Sequence, residues 1–494
     1  MDRKTALERL DMGSASLKEQ APRWKRRRDY FDGNQDAPYA PEGVNEEYQA
    51  LQDQSTANWL KLAMQAPVQR LRVDGFRTGR DQAADKTAWE DVWQANRGDF
   101  IQRQLYINMM VHDLGIMGVW PNAARPKSPL LRVESGKRVW LERDPEDTTR
   151  VSWAVKTFAV RKRNATALWT PTPVATQGEV GIVYDEDSFV RFERENGSGL
   201  WSFVTEGVNP LGEVPFVPYS LNIDEDGQTH PSIDQLMPQQ DAVNTIRFNT
   251  LLAMQFSAYR QRVFTGYDPV IRDAQGNPVL QRNPDGTPVL DERGQPIALL
   301  SKPGRVGVDR ALVFPGKDTK VFDLAESNLS NYIEVLDSFL SQLFATGQVP
   351  PQYLLTRMAN LSGDALAGAE STLAALVGDL QTAAGESHEH VMRLANRARG
   401  EDIDDVASEV IWGDGEARSF AQTIDAITKL IATGFPRGSA WAMIPGATIT
   451  KVDRWLEELR EERAAEPFEL LDPATQARMK AISGAGDADA AAGA

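Results

Sequence analysis

The sequence NLSNYIEVLDSFLSQLFATG (328–347), QVPPQYLLTRMANLSG (348–363) and DALAGAESTLAALVGDLQTAAGESHEHVMRLANRARG (364–400) decides how the chain is organised. Its first part places apolar residues at three- and four-residue steps, the spacing of a helix with one buried stripe. These residues are Ile333, Leu336, Leu340, Leu343 and Phe344. Gly347 is expected to end this helix. Pro350-Pro351 prevents it from restarting at once, because proline lacks an N–H donor.

A much longer helix is predicted after this break. Ser362 offers an N-cap oxygen, and Asp364 places a negative charge near the positive end of the helix. The helical pattern continues to Arg399. At a rise of 1.5 Å per residue, about 36 residues give a rod of roughly 54 Å. A long helix preceded by a proline-marked loop indicates a scaffold that holds the loop in position.

The composition is that of a soluble globular protein with several domains. The chain has 494 residues, of which 41% are hydrophobic and 25% charged, so it can bury a sizeable core. It contains no cysteine, which excludes disulfides and thiolate metal sites. The N-terminal MDRKTALERLDMGS lacks the apolar core of a signal peptide, and no apolar run is long enough for a membrane span. We therefore expect a cytoplasmic protein with no membrane contact.

The net charge of −16 argues against a tight, general nucleic-acid binder. Such proteins present a basic stripe that replaces the counterions on phosphate. A mildly repulsive surface is nevertheless compatible with DNA that must slide past it. The basic run Arg23–Arg28 is interpreted as a helix end whose charges meet nearby acids, rather than as a nucleic-acid patch.

Residues 1–231 are predicted to form an α+β domain. Helical patterns cover 3–20, 55–73 and 100–113, and short β-branched or aromatic runs after Gly115 indicate strands. Asn196-Gly197 marks the turn of a hairpin. The two tryptophans at 89 and 93 have helical spacing and are expected in the core.

The region that follows is predicted to be a small β module between two helices. Residues 232–262 have a helical pattern, and the next helix begins at Asn328. Between them, a Gly-x-Pro-aliphatic unit recurs at Gly276, Gly286 and Gly294. Each unit favours a tight turn followed by a short strand, which suggests a tip carried on a helical stalk.

Beyond Gly400 the chain is acidic and then helical. Ile424, Ile427, Leu430 and Ile431 form one apolar stripe, and residues 449–466 form a further amphipathic pattern. The alanine- and glycine-rich tail 481–494 is predicted to be disordered.

No catalytic or cofactor motif occurs in the sequence. It lacks a Walker-type phosphate loop, a G-x-S-x-G elbow and an H-E-x-x-H pair. His388 and His390 point in different directions on a helix and are interpreted as part of a solvated face, not as a metal site. Residues 222–227 resemble the start of a calcium loop, but Ile233 stands where a bidentate glutamate is needed, so a turn is the better interpretation. We expect no enzyme activity, no cofactor and no metal.

The order of these pieces resembles the portal proteins of tailed, siphophage-type phages. The resemblance covers almost the whole chain. The segments that carry it are RDYFDG (28–33), NWLKLAMQAPVQRLRVDGFR (58–77), GEVPFVPYSLN (212–222), DQLMPQQDAVNTIRFNTLLAMQFSAYRQRVFTG (234–266), LFATGQVPPQYLLTRMANLSGDALAGAESTLAAL (343–376) and ARSFAQTIDAITKLIATGFP (417–436). The long Gly-x-Pro insert at 273–300 departs from the family pattern.

The resemblance implies an α+β multidomain, portal-type fold with a wing, a helical stem, a small β-rich clip, a long wing helix and a helical crown. The implied parts are the wing (1–231), the stem helices (232–262 and 328–346), the clip (263–327), the tunnel loop (347–363), the long wing helix (364–400) and the crown (401–480). A ring of about twelve subunits at one capsid vertex would surround double-stranded DNA.

The resemblance also implies the functional residues. The tunnel loop would face the DNA channel through Gln348, Val349, Pro350, Pro351, Gln352, Tyr353, Leu354, Leu355, Thr356, Arg357, Met358 and Asn360. A clip surface carrying Arg282, Asp285, Asp291 and Arg293 would dock the terminase during packaging and the head–tail adaptor afterwards. The major capsid and scaffolding proteins would be further partners of a protein that is assembled in the host cytoplasm and resides in the virion.

Two other classes remain open from the residues alone. One is a minor capsid or scaffold-associated structural protein that forms no DNA channel. The other is an unrecognised enzyme, which the absence of a catalytic constellation disfavours.

Overall fold

The computed structural model describes residues 1–39, 46–77, 84–160, 178–195, 199–258, 262–265, 270–300, 320–323, 329–350, 363–401, 408–413, 420–441, 443–444, 447 and 449–465. The contacts divide the chain into two units. The first comprises Met1–Asp36, Ala57–Val243 and Phe339–Ala494, and the second comprises Ala37–Thr56 and Asn244–Ser338. Helices and strands occur in both, so the fold is a mixed, multidomain one, as predicted.

The α-helices of the described residues are α1 (Arg3–Asp32), α2 (Glu46–Ser55), α3 (Leu60–Val68), α4 (Gly98–His112), α5 (Ile233–Ala258), α6 (Leu329–Thr346), α7 (Gly363–Ala398), α8 (Phe420–Ala432), α9 (Arg437–Trp441) and α10 (Ile449–Ala465). The strands are β1 (Val73–Arg77), β2 (Gly115–Trp120), β3 (Leu130–Glu134), β4 (Val139–Arg143), β5 (Val151–Val160), β6 (Gly178–Tyr184), β7 (Ser188–Arg194), β8 (Ser202–Val208), β9 (Phe216–Tyr219), β10 (Arg262–Thr265), β11 (Lys320–Asp323) and β12 (Glu409–Trp412).

Two antiparallel sheets form most of the first unit. One has the strand order β4-β5-β6-β7-β8, and the other has the order β3-β2-β9. The predicted hairpin is β7–β8, although its turn at 196–198 lies outside the described residues. α1 packs on the larger sheet, where Gly13 and Gly181 allow close approach: a Cβ on Gly13 would lie 2.8 Å from Val155, and one on Gly181 2.6 Å from Leu10.

α1 is longer than predicted, because it continues through Pro22 to Asp32 instead of ending near residue 20. The Asp2 carboxylate caps its first turn, and Gly33 ends it in the left-handed conformation. Its basic run is stabilised by charge pairs, as predicted. Within the helix, Lys25 pairs with Asp29 and Arg28 with Asp32, and Arg27 reaches Asp234 at 2.7 Å. These contacts are a reason to interpret the run as structural.

The helix predicted over 55–73 is present but shorter at both ends, since α3 covers Leu60–Val68. The helix before it, α2 (Glu46–Ser55), was not predicted. One distant and one local side chain accept the hydrogen bonds at the start of α3. Gln240 Oε1 accepts from the amides of Trp59 and Leu60, and the neighbouring Asn58 Oδ1 accepts from the amide of Lys61. Because these partners satisfy the orphan amides, the helix starts there.

The core of the first unit gathers side chains from α3, α4, α7 and the strands around them. Trp93 is fully buried and Trp89 packs against the core, as the sequence predicted. Trp89 and Trp93 lie in a π-helical segment, Ala88–Trp93. The acidic stretch after Gly400 contains an unpredicted strand: β12 pairs antiparallel with β1 and brings Trp412 opposite Val73.

The second unit contains α2, parts of α5 and α6, and the strand pair β10–β11. The prediction that α5 reaches Arg262 is wrong, since α5 ends at Ala258 and Arg262 begins β10. Arg262–Thr265 pairs with Lys320–Asp323. Hydrogen bonds between these two strands therefore decide the structure at Arg262, although the sequence there has a helical pattern. The apolar stripe predicted for α6 is buried at Leu340, Leu343 and Phe344, whereas Ile333 is exposed.

The C-terminal part forms α8, α9 and α10, and an edge-on contact joins Trp441 to Trp455. Ile427 of the predicted α8 stripe is buried, whereas Ile424 is partly exposed. The tail 481–494 lies outside the described residues.

Candidate functional site

The end of α6 is closed by a Schellman motif that leads into the predicted loop. The amide of Val349 donates to Phe344 O at 2.9 Å, and the amide of Gln348 donates to Ala345 O at 3.2 Å. Gln348 adopts the left-handed conformation, with φ at 54°. The left-handed residue that ends the helix is therefore Gln348, one residue later than the predicted Gly347. Gly347 instead permits close packing, since a Cβ there would lie 3.1 Å from Ala63 Cβ.

The first residues of the predicted loop are anchors. Val349 is 3% exposed and belongs to the same hydrophobic core as Phe344, and Pro350 is buried beside it. Gln348 is exposed. The other residues predicted to face a channel, Pro351, Gln352, Tyr353, Leu354, Leu355, Thr356, Arg357, Met358 and Asn360, lie outside the described residues.

α7 fixes the other end of this loop. It runs from Gly363 to Ala398 and has 36 residues, as the sequence predicted. Leu373, Leu380 and Val391 are buried along one side of the helix. Near its start, Arg70 pairs with Glu370 at 3.2 Å, and both side chains are largely buried. The long helix is therefore held against α3 and the sheets along much of its length.

His388 lies at the centre of the core, so the prediction of a solvated face is wrong for this residue. Tyr106 Oη lies 2.7 Å from Nε2, and Tyr219 Oη lies 2.9 Å from Nδ1. Trp93 and Trp412 pack against the ring. Complete burial lowers the pKa of His388 to about 3. The ring is therefore neutral at physiological pH and joins α7 to α4 and β9. Its spacing from His390 could not reveal this, because burial depends on distant tyrosines.

His390 faces a different environment, at the edge of the same helix. Its Nε2 lies 2.7 Å from a carboxylate oxygen of Glu213, which also pairs with Arg397. The hydrogen bond from His390, together with the Arg397 guanidinium, lowers the pKa of Glu213 to about 2. This cluster ties the second half of α7 to the loop before β9.

The loop before α5 is held by a buried carboxylate. Asp113 accepts hydrogen bonds from the amides of Leu221, Asn222 and His230, at distances between 2.7 and 3.2 Å. Burial raises the pKa of Asp113, an effect that these amide donors oppose. The turn predicted at 222–227 is present, with Gly227 at a φ of 76°. It fixes the start of α5 relative to α4.

A cavity of about 600 Å³ lies where these elements meet in the first unit. Its lining combines apolar side chains of α3, α4 and α7 with polar groups of α5 and the end of α6. They include Met64, Met110, Gln235, Thr346, Gln348 and Asp379. In the part of the chain that the structure describes, no three His, Asp or Glu side chains gather as metal ligands would. No helix there has the length and apolar character of a membrane span.

The Gly-x-Pro units form three consecutive turns. Gly276, Gly286 and Gly294 all adopt positive φ, and the bridges 272–278, 282–288 and 290–296 close the turns. They are single bridges rather than the short strands that were predicted. Two cyclic sets of backbone hydrogen bonds connect the turns: one joins residues 271, 279 and 299, and the other joins 281, 289 and 297.

Three of the four predicted docking residues have local structural contacts. Arg282 donates to Gly286 O, Asp285 accepts from Thr287, and Asp291 accepts from the amides of Arg293 and Gln295. The Arg293 side chain has no such contact among the described residues. Of the four, Arg293 is therefore the one whose side chain is available for a partner.

Comparison with known proteins identifies the family. The model of the family described as "Phage portal protein, SPP1 Gp6-like" matches residues 14–465, which is nearly the whole chain. The chain belongs to this portal protein family. Members of the family are structural proteins of the virion, and the function of the chain is that of a portal: the passage at the capsid vertex through which the phage genome is packaged and ejected.

Two curated relatives carry the name "Portal protein". The one from Mycobacterium phage D29 is 27% identical over 395 residues, covering 76% of this chain and 72% of the relative. The one from Mycobacterium phage L5 is 26% identical over 422 residues, covering 81% and 77%. Among solved structures, a chain from "Neck of empty GTA particle computed with C6 symmetry" covers 81% of this portal chain and 96% of its own, at 12% identity and a TM-score of 0.41.

Proposed function

We propose that about twelve copies form a closed ring and that residues 347–363 of each copy line its DNA channel. In this ring, residues 1–231 and 364–400 form the wing, 232–262 and 328–346 the stem, 263–327 the clip and 401–480 the crown. The clip contacts the terminase and then the head–tail adaptor, and the body contacts the major capsid and scaffolding proteins. Assembly takes place in the host cytoplasm, without a membrane.

The observation that carries this proposal is the way the loop is anchored. Val349 is buried against Phe344 at the end of α6. The loop's other end enters α7, which the Arg70–Glu370 ion pair holds near its start. The described residues on both sides of the loop are therefore held in the core of the first unit. Loops that act on a ligand are typically carried by such rigid elements.

The negative net charge of the chain supports a channel through which DNA slides, rather than a site that binds DNA tightly. Each copy carries a net charge of −16, so a ring repels DNA at long range. Arg357 is the only basic residue in residues 347–363. One arginine per copy provides brief phosphate contacts and retards backward sliding, without the affinity of a basic groove.

A packaging assay with loop variants tests this role. Arg357→Glu is expected to lower the amount of retained genome, Arg357→Ala to lower it less, and Arg357→Lys to preserve it. Arg125→Glu is a matched control, because Arg125 is exposed and lies in a loop far from residue 357 in the sequence. Filling and retention that are equal in Arg357→Glu, Arg125→Glu and the wild type would exclude a channel role for Arg357.

A further inference from the structure

The cavity lined by α7 and the end of α6 combines an apolar floor with a polar mouth. Its volume of about 600 Å³ lies in the range of sites that hold small organic molecules. Met64, Met110 and Leu236 line the floor and are only 2%, 5% and 1% exposed. Methionine side chains adapt to the shape of an irregular partner. The floor therefore suits the apolar body of a small ligand.

α7 contributes the only charge among the described residues that line the cavity. Leu376, Asp379 and Ala383 lie at steps of three and four residues and line the cavity together, as neighbours on one helical face do. Asp379 is exposed at the mouth, and no described residue forms a hydrogen bond or ion pair with its carboxylate. The described lining contains no lysine, arginine or histidine. The cavity therefore presents a negative charge without a partner.

The neutral groups at the mouth add hydrogen-bond acceptors to this charge. Thr346 and Thr382 each donate their hydroxyl hydrogen to the carbonyl four residues earlier, at 2.9 and 3.0 Å, so only lone pairs remain on their oxygens. Gln239 donates to Thr346 Oγ1 at 3.2 Å and leaves its own Oε1 buried without a partner among the described residues. Gln235 and Gln348 carry one acceptor and one donor group each and do not change the balance. A ligand with several N–H donors satisfies this surplus of acceptors.

We propose that this cavity binds a small organic cation, a primary ammonium group carried on an apolar body. The ammonium group donates hydrogen bonds to Asp379 and to the threonine hydroxyls, and the body covers the two methionines. A metal ion fits less well, because hard cations need several oxygen ligands and the apolar floor offers none. The described residues also contain no group of three metal-ligating side chains. The site lies within one chain, so binding does not depend on the ring.

A cation bound in the cavity contacts both elements that the predicted channel loop connects. Gly347 and Gln348, where this loop begins, line one part of the cavity, and α7, where the loop ends, lines another. Hydrogen bonds from one ligand to Thr346 and Asp379 therefore link the end of α6 to α7. Such a link would restrain the loop between them, a consequence that rests on the proposed function, whereas the binding itself does not.

NMR of isotope-labelled methionine methyl groups in the full-length protein tests the site. Hexylammonium chloride is titrated into the protein, with hexanol as a neutral probe of the same length. We expect hexylammonium to shift the signals of Met64 and Met110, assigned with Met64→Leu and Met110→Leu, and to bind about fivefold more tightly than hexanol. Asp379→Asn should remove this preference. Asp11→Asn, the same change at an exposed position on α1, should retain it.

The possible results are distinct. Equal affinity for hexylammonium and hexanol, or a preference that survives in Asp379→Asn, would overturn the cation site, and shifts confined to other methionines would overturn its location. Tighter binding of Nα-acetyl-lysine methylamide would also overturn it, because the occupant would then be a lysine side chain of a partner protein. The same shifts with magnesium chloride would assign the site to a metal ion. Each of these results leaves the proposed ring untouched, since binding is measured on the single chain.

Discussion

At the scale of single residues, His388 connects more of the core than any motif in the sequence suggested. A neutral imidazole has one N–H and one acceptor nitrogen. One of its two tyrosine partners therefore accepts a hydrogen bond and the other donates one. Both hydroxyls are buried, and burial raises the pKa of Tyr106 and of Tyr219 well above the usual value. The network is thus neutral, and each of its members depends on the others.

Removal of either hydroxyl should destabilise the protein. Tyr106→Phe and Tyr219→Phe each leave a buried imidazole nitrogen without its partner, which costs about 1–3 kcal/mol. Urea unfolding followed by tryptophan fluorescence measures this loss. Tyr39→Phe is the control, since Tyr39 is 81% exposed. If all three variants unfolded at the same urea concentration, the hydrogen bonds to His388 would have no energetic role.

Two buried histidines predict acid sensitivity. Burial lowers the pKa of His388 to about 3, and burial together with Arg27, Lys137 and Arg28 does the same for His112. The unfolded chain takes up these protons near pH 6.5, so this stability is present above pH 6.5 and is lost as the pH falls towards 3. Between pH 6.5 and 5, each histidine should reduce the free energy of unfolding by about 2 kcal/mol.

Glu389 opposes this trend and provides a control. Burial and the nearby Glu386 raise the pKa of Glu389 to about 7, so its contribution to stability improves as the pH falls from 7 towards 4.5. Glu389→Gln removes that contribution and should steepen the loss of stability on acidification. Urea midpoints measured at pH 7.5, 6.5 and 5 follow both effects. A midpoint that does not fall over this range would contradict the burial of the histidines as neutral rings.

At the scale of elements, strong periodicity predicted the helices that matter most. α6 and α7 lie where the spacing of their apolar residues placed them, and the strands after Gly115 follow their β-branched runs. Boundaries set by distant side chains were not predictable. α3 starts where Gln240 accepts its first amides, and β12 exists because β1 offers an edge. Neither partner is close in sequence, so no local pattern could report it. The channel-facing part of the loop remains a prediction.

The termination of α6 gives a prediction at this scale. Gln348 is left-handed at the end of the helix, a conformation that glycine adopts without strain. Gln348→Gly should raise the free energy of unfolding by about 0.5–1 kcal/mol. Gln342→Gly, at an exposed position inside α6, should lower it by about 1 kcal/mol. Thermal unfolding of the two variants decides the matter, since opposite shifts support the Schellman motif and two equal losses would contradict it.

At the scale of the whole molecule, the function of a portal protein depends on its assembly. The family match covers nearly the whole chain, and the acidic balance suits a passage that DNA does not stick to.

The most direct test is negative-stain microscopy of the purified full-length protein. We expect closed rings with a central hole, formed by copies of this chain alone. Particles that remain monomers, or irregular aggregates without a hole, would contradict it and would favour a structural protein that forms no channel.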